Sequence, residues 1–325
     1  MRRVITVLAG AGAFLVVLAL LTKFYVAGQV VKFPLNEHLV LTLADPNGRY
    51  FSASQLMDLD VPVTVTDTIQ GDVGASSGST AVWDEFQVVH DDFNNVNFSY
   101  LQRRAPFDRR TGALVNCCGA YLNGDHSVHL SGQGFVWPLG AQRHTYQLFD
   151  TTLGRAAPAT YAGTSVTDGL TTYRYVENVP AQKASTLTLP GSLVGMKNQN
   201  EVTLPEYYQS VNTYWVDPVT GIPLNVERNE TLTLRDSAGS VRLLAFRADL
   251  KLKSSSIAAQ ASTARSNARK ISLVSTVLPL ALLVLGVVAM GVAIGLTFRH
   301  PGSRGKPRAV EDGTEPLSPV DESSS

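Results

Sequence analysis

The segment Ile271–Phe298, ISLVSTVLPLALLVLGVVAMGVAIGLTF, holds no ionisable side chain over 28 residues. About 20 apolar residues in a helix are enough to cross the hydrocarbon core of a bilayer. The run stops at a basic cluster, Arg299 and His300, followed by Pro301. The segment therefore predicts a transmembrane helix over 271–298.

A second apolar run lies at the other end of the chain. Val4–Leu21 contains no charge over 18 residues, follows Arg2 and Arg3, and continues in apolar residues beyond Lys23. No Ala-x-Ala cleavage signal follows the apolar core, so the run reads as an uncleaved anchor rather than a signal peptide. We expect a transmembrane helix over 4–26, preceded by a short N-terminal segment, 1–3.

Two spans place both termini on the same side of the membrane. Charge favours a cytoplasmic side for both, because basic residues flank the outer ends of the two spans: Arg2, Arg3, Arg299, Arg304, Lys306 and Arg308. The inner flanks are also basic, so the charge count alone does not decide. A long domain translocates largely regardless of its charge, which favours an external domain. The tail, 299–325, is polar after Arg308 and is predicted to be disordered and cytoplasmic.

The region between the spans, 33–253, has the pattern of a β domain. Short apolar runs alternate with polar residues and are separated by Gly, Pro, Asn and Asp. The candidate strands are Leu39–Leu43, Val61–Ile69, Thr80–Val89, Val96–Gln102, Ala113–Asn116, Thr171–Val176, Ser185–Leu189, Ser210–Val216, Leu224–Leu234 and Val241–Leu250. A stretch rich in Ala, Ser and basic residues, 254–270, predicts a juxtamembrane helix that leads into the second span.

Two short strings predict hairpin turns of one type, D-x-x-T-G. Asp217, Pro218, Thr220 and Gly221 form the first, in which Asp accepts backbone hydrogen bonds, Pro sets φ and Gly releases the chain. The second comprises Asp108, Thr111 and Gly112. The two strings are interpreted either as a duplication or as a chance likeness.

The two cysteines, Cys117 and Cys118, are adjacent, with Gly119 next to them. Adjacent Cα atoms lie about 3.8 Å apart, closer than in ordinary disulfides. A vicinal disulfide, two buried thiols and a bond to another chain therefore all remain open. We predict a structural pair in a turn beside a strand end.

Composition and motifs exclude several functions. The 27 basic side chains balance 27 acidic ones, so no basic field is available for nucleic acid. His90 with Asp91 and Asp92, and Asp125 with His126 and His129, lack the spacing of a metal site and are interpreted as loop residues. No nucleophile, zinc or phosphate-binding motif is present. We expect no enzymatic activity, no metal and no cofactor.

Several strings together resemble the actinobacterial Porin PorA family of membrane proteins. They are Phe107–Gly112, Asn116–Gly119, Trp137–Gly140 with Thr145, Tyr146 and Asp150, Asp168–Leu170, and Trp215–Gly221. The resemblance covers nearly the whole chain and implies a cell-envelope protein, in a family whose homologues are associated with lipomannan and lipoarabinomannan maturation. The hairpin at Trp215–Gly221 is also similar to one in LolA-like lipid carriers.

That second likeness implies curved antiparallel sheets, barrel-like or half-barrel, between the two terminal helices. A concave face lined by apolar residues would hold acyl chains. The expected function is therefore binding or transfer of a membrane lipid or glycolipid, as in lipoglycan assembly. The alternatives are a scaffold that recruits other envelope membrane proteins, and a porin-like channel subunit, although two apolar helices alone enclose no polar lumen.

Overall fold

The computed structural model describes residues 2–298, so the predicted disordered tail, 299–325, lies outside the described residues. The chain forms two compact units. Over the described residues, one consists of the terminal segments, up to Leu20 and from Pro279 to Phe298, and the other is Leu21–Leu278.

Helices form both ends of the described chain. The first runs through α1 (Arg2–Leu21), a π-helical segment (Thr22–Val26) and α2 (Ala27–Val30). The second runs through α3 (Ser254–Ser272), a π-helical segment (Leu273–Val277) and α4 (Leu278–Phe298). Arg3–Val30 and Ser254–Phe298 are both long and apolar enough to cross a membrane. The predicted juxtamembrane helix and second span are therefore parts of one continuous helix.

Within the terminal unit, α1 and α4 meet at glycines. A Cβ atom built on Gly12 would lie 2.8 Å from the carbonyl oxygen of Gly286 and 2.7 Å from Cγ of Met290. One built on Gly286 would lie 2.8 Å from the carbonyl oxygen of Gly12. Small residues allow helix backbones to approach this closely where lipid supplies no hydrophobic drive.

The other unit contains one 11-stranded antiparallel sheet, curved into a half-barrel, as the sequence predicted. Its order is β5-β4-β3-β2-β1-β11-β10-β9-β8-β7-β6. The strands are β1 (His38–Ser52), β2 (Met57–Gly71), β3 (Thr80–Asp91), β4 (Val96–Asp108), β5 (Tyr121–Leu122), β6 (Tyr146–Asp150), β7 (Arg155–Thr167), β8 (Leu170–Pro190), β9 (Glu201–Val216), β10 (Pro223–Arg235) and β11 (Val241–Leu252). Gly191–Val194 is a short 3-10 helix.

One predicted strand is wrong, and three observed strands, β5, β6 and β7, were missed. Ala113–Asn116 makes only isolated bridges, through Ala113 to Gln133 and through Leu114 to Phe107. Strand β7 contains Pro158 and Gly163, which read as breakers. Pro158 nevertheless pairs with Gln147, and a register shift between Tyr161 and Thr164 absorbs the glycine.

The outward face of strand β2 is polar. On β2, residues of one parity are buried, among them Val61, Val63 and Val65. The alternate residues, which point to the opposite face, are Asp58, Asp60, Pro62, Thr64, Thr66, Thr68 and Gln70. A lipid-facing strand carries apolar residues outward. This strand therefore faces water on its outer side and the interior of the half-barrel on the other.

Helix α3 packs on the same unit. Its buried face includes Gln260, Ala261 and Ala264, and the Gln260 amide nitrogen donates to the carbonyl oxygen of Pro223 at 3.2 Å. Arg265 pairs with Asp168 at 2.7 Å. These contacts fix the helix against the β10 side of the sheet.

Candidate functional site

A cavity of about 580 Å³ lies inside the curved sheet. Its lining comes from β1–β4, β6, β8–β11 and the segment 133–137. Aromatic side chains form part of the wall, including Tyr50, Phe98, Tyr208 and Tyr214. The lining also contains acidic and basic side chains, so the cavity is not the uniformly apolar concave face that the sequence led us to expect.

Four carboxyl groups line the cavity in addition to those of Glu85 and Glu206: Asp67, Asp150, Glu177 and Glu230. Burial is the main cause that raises the pKa of each, because a charged carboxylate loses its hydration inside the protein. The pKa of Glu177 rises to about 7. The charge of Arg228 lowers the pKa of each of the four, and neighbouring carboxylates raise the pKa of Asp67, Glu177 and Glu230. The four groups therefore form one electrostatic cluster.

A row of polar residues crosses three neighbouring strands. Glu177 on β8 pairs in register with Asn212 on β9, which pairs in register with Arg228 on β10. The Asn212 side-chain nitrogen donates to Oε2 of Glu177 at 2.9 Å, and the Tyr214 hydroxyl approaches the same oxygen at 3.4 Å. Inward parity of the strands places all three side chains of the row in the cavity.

The row continues across the interior. Nη2 of Arg228 lies 3.7 Å from Oδ2 of Asp67 on β2, although β1 and β11 separate β2 from β10 in the sheet. The guanidinium therefore bridges the concave side of the sheet.

A second arginine, Arg103 on β4, lies on the opposite wall of the cavity. Nε of Arg103 donates to Oε2 of Glu85 at 2.7 Å, and both side chains are buried. The guanidinium carbon of Arg103 lies 4.3 Å from the centre of the Phe135 ring, a cation–π arrangement. Glu85 is thereby neutralised locally.

Four buried polar atoms of cavity residues have no hydrogen-bond partner within residues 2–298. They are Nη1 of Arg103, Nε1 of Trp137, Oε1 of Glu177 and Oδ1 of Asn212. These side chains are only 2–4% exposed. Leaving a buried donor or acceptor unpaired costs about 1–3 kcal/mol, so four such atoms around one cavity make it a candidate site for polar partners.

The two D-x-x-T-G strings form turns of the same geometry. In the Asp217 turn, the backbone nitrogen and hydroxyl of Thr220 donate to Oδ2 of Asp217 at 2.9 and 2.5 Å, and Gly221 N donates to Asp217 O at 2.9 Å. In the Asp108 turn, the matching bonds from Thr111 are 2.8 and 2.9 Å, and Gly112 N donates to Asp108 O at 2.9 Å. Pro218 precedes the Thr in the first turn only.

Both turns hold the segment that carries Trp137. The backbone nitrogen of Trp137 donates to the carbonyl oxygen of Gly221 at 2.8 Å, and that of Leu139 donates to Arg110 O at 3.1 Å. Gly112 and Gly221 have φ of 69° and 71°, and a Cβ on either would strike a backbone carbonyl oxygen of residues 136–138. The turns therefore clamp Trp137, whose indole lines the cavity.

The cysteines form a vicinal disulfide in an exposed turn between β4 and β5, away from the cavity lining. Cys118 has a positive φ of 58°, and its carbonyl oxygen accepts a bond from Nε of Arg104 at 3.1 Å. Arg104 also pairs with Asp72 and Asp84. This geometry is that of a turn beside a strand end, and the structural role of the pair stays a prediction.

The histidine groups lie elsewhere. His90 on β3 bonds to Asn97 on β4 at 2.7 Å, and His126 bonds to the carbonyl oxygen of Ala120 at 3.3 Å. Over residues 2–298, no group of three potential metal-ligating side chains was found.

Sequence reasoning missed the cavity residues, although a signal was present. The inward-pointing residues of β10 are Leu224, Val226, Arg228, Glu230 and Leu232. Two charges in the apolar parity of a buried strand indicate a polar interior. Glu177 fell between two predicted strands, 171–176 and 185–189, which the structure joins into β8 through two register shifts.

The sequence matches the family described as Porin PorA over residues 5–295. A curated protein named Porin PorA, from Corynebacterium amycolatum, is 24% identical over 119 residues. That match covers 29% of this chain and 31% of the relative. The family match extends over both terminal helices and the whole sheet, and the chain belongs to the Porin PorA family.

Proposed function

We propose that this envelope membrane protein is non-enzymatic and binds the polar head group of a lipid or glycolipid inside its half-barrel. In this proposal the two apolar helices span the membrane and the β domain lies outside the cytoplasm. The absence of nucleophile and phosphate-binding motifs from the sequence supports a binding protein rather than an enzyme.

The observation that carries the proposal is the set of unpaired polar atoms around the cavity. Arg103 and Trp137 offer donors, and Glu177 and Asn212 offer acceptors. Aromatic residues such as Tyr214 line the same cavity. Ligand pockets combine apolar walls with a few polar groups that fix orientation. Because charged groups line the cavity, a head group suits it better than the acyl chain that the sequence suggested.

The test is native mass spectrometry of the full chain, purified in an uncharged detergent. We expect a bound mass in the range of a membrane lipid. Ala245→Trp, which places an indole in the cavity lining, should reduce the bound fraction severalfold. Arg247→Trp, two residues along the same strand at an exposed position, should retain it.

Two results would contradict the proposal. The first is that the parent protein carries no lipid after gentle extraction. Equal retention by the Ala245 and Arg247 variants is the second, because the lipid would then lie outside the cavity.

A channel is the second candidate, favoured by the word porin in the names of the family and of the relative. An acidic interior would favour cations in such a channel. The polar outward parity of β2 opposes a lipid-embedded barrel wall. Planar bilayers containing the full chain distinguish the two: cation-selective single-channel steps that Glu177→Gln changes would support the channel.

A further inference from the structure

The cavity has an excess of negative charge on one wall. Glu85 is paired with Arg103, which leaves Asp67, Asp150, Glu177 and Glu230 to share the single guanidinium of Arg228. When all four are ionised, three charges stay uncompensated in a region largely removed from water. Buried charges are normally paired, so this wall lacks a positive partner.

The unpaired atoms on this wall are both acceptors. Oε1 of Glu177 and Oδ1 of Asn212 have no partner within residues 2–298, and their side chains are 2% and 4% exposed. The two side chains are joined to each other by the 2.9 Å bond from Nδ2 of Asn212 to Oε2 of Glu177. Two neighbouring acceptors in an anionic wall are best matched by a donor that is also a cation, because it satisfies the acceptors and offsets the charge.

The surroundings favour an organic cation over a metal ion. No set of three ligating carboxylate, histidine or cysteine side chains was found in the described part of the chain. Aromatic residues line the same cavity instead: the Tyr214 hydroxyl lies 3.4 Å from Oε2 of Glu177, and the ring centres of Tyr214 and Trp137 are 5.1 Å apart. Aromatic faces attract ammonium groups, and a primary ammonium brings three donors with its charge.

We propose that the cavity binds the primary ammonium group of an organic amine between Glu177 and Asn212. This inference rests on the proposed function and deepens it by naming the recognised group. A neutral polyol would satisfy the acceptors and leave the charge excess untouched. The groups that face Glu177 are Asn212, Tyr214, Asp150 and Arg228, so its charge depends on all of them.

The first experiment is calorimetric titration of the full chain in an uncharged detergent at pH 8. Ethanolamine and ethylene glycol are the probes, because they differ in the ammonium group. We expect saturable binding of ethanolamine and at least tenfold weaker binding of ethylene glycol. Equal binding of the two probes, or binding of neither, would overturn the inference.

Variants then locate the site. Glu177→Gln should weaken ethanolamine binding at least tenfold, whereas Asp249→Asn, at an exposed carboxylate on β11, should leave it unchanged. An unchanged affinity in Glu177→Gln would refute the site. Should that variant fold poorly, the parent at pH 5.5 supplies the same comparison, because protonation of the wall should weaken ethanolamine binding at least tenfold.

Nanodiscs separate the sources of the amine. In discs of phosphatidylethanolamine the lipid head group should compete and weaken ethanolamine binding at least tenfold relative to discs of phosphatidylglycerol. Equal binding in both discs would assign the site to a soluble amine. A bound lipid without an amine, found by native mass spectrometry beside a chain that ignores ethanolamine, would overturn this inference and leave the proposed function intact.

Discussion

Glu177 is a buried carboxyl in the middle of β8, with one oxygen bonded to Asn212 and the other unpaired within residues 2–298. Burial is the main cause of its raised pKa of about 7. A carboxyl with a raised pKa holds its proton more tightly in the folded state than in the unfolded state. Protonation therefore stabilises the fold, and ionisation opposes it.

The sign of the resulting pH dependence is opposite to ordinary acid denaturation. Below the unfolded pKa of 4.5, Glu177 contributes its full stability, and that contribution is lost as the pH rises to about 7. The difference amounts to roughly 3 kcal/mol. We predict that the free energy of unfolding of the full chain in detergent falls between pH 5 and pH 8, and less steeply in Glu177→Gln.

Asp249→Asn is the control for this prediction, since Asp249 is an exposed carboxyl that pairs with Lys251. It should keep the slope of the parent. A parent protein that is as stable at pH 8 as at pH 5.5 would show that Glu177 ionises without cost. Asp67, Asp150 and Glu230 shift in the same direction, so a residual slope in Glu177→Gln is expected.

At the scale of elements, the D-x-x-T-G turns were predictable because their hydrogen bonds are local. Asp217, Thr220 and Gly221 occupy fixed offsets, so the string itself specifies the bonds. The hairpin that follows was predicted as well: Val216 pairs with Pro223 and Tyr214 with Val226, with a register shift after Pro223. The clamp on Trp137 was not predictable, because it joins segments about 30 and about 80 residues apart in the chain.

Because of the clamp, we predict that a side chain at position 221 destabilises the fold. Its φ is 71°, and a Cβ would collide with the carbonyl oxygen of Trp137. Gly239, in the β10–β11 turn, has a φ of 81° with open space around it. Both Gly→Val changes place a β-branched residue at positive φ, which costs about 1–3 kcal/mol. Gly221→Val should cost roughly 1–3 kcal/mol more, because the clamp must shift.

Thermal melting of the two variants in detergent measures the difference. Gly221→Val should melt below Gly239→Val and should also lose bound lipid, because Trp137 lines the cavity. Equal melting temperatures of the two variants would mean that the clamp shifts without a cost in free energy. A lower melting temperature with full lipid retention would separate the clamp from ligand binding.

The predicted strands are too short where a β-bulge lets the observed strand continue past Pro or Gly residues that usually end a strand. Strand β1 continues across Asp45-Pro46-Asn47-Gly48, which resembles a turn, by a register shift between Asp45 and Gly48. The same device extends β8 past Pro180. A bulge depends on the partner strand as much as on its own residues, so a single stretch of sequence does not reveal it.

At the scale of the whole molecule, the sequence predicted two apolar spans around a β-rich domain because each depends on composition and alternation, whereas the curvature of the sheet was implied by the resemblance to lipid carriers. The membrane spans need only length and low charge, and the sheet needs only the period of two. The cavity was predicted with the wrong character, since its polarity arises from residues on six strands that meet only after folding: Arg103, Glu85, Asp67, Glu177, Asn212 and Arg228.

The orientation of the protein in the membrane is the last prediction. Basic residues at both chain ends, including Arg2, Arg3 and Arg308, favour cytoplasmic termini, and a long domain translocates regardless of its charge. Gly124 lies in an exposed turn with open space around it, so a fusion there should leave the sheet intact. We expect alkaline phosphatase to be active when inserted at Gly124 and inactive when fused after Ser325, with a fluorescent protein that folds only in the cytoplasm giving the reverse. Activity of the phosphatase at Ser325 but not at Gly124 would place the cavity in the cytoplasm and exclude binding of an external head group.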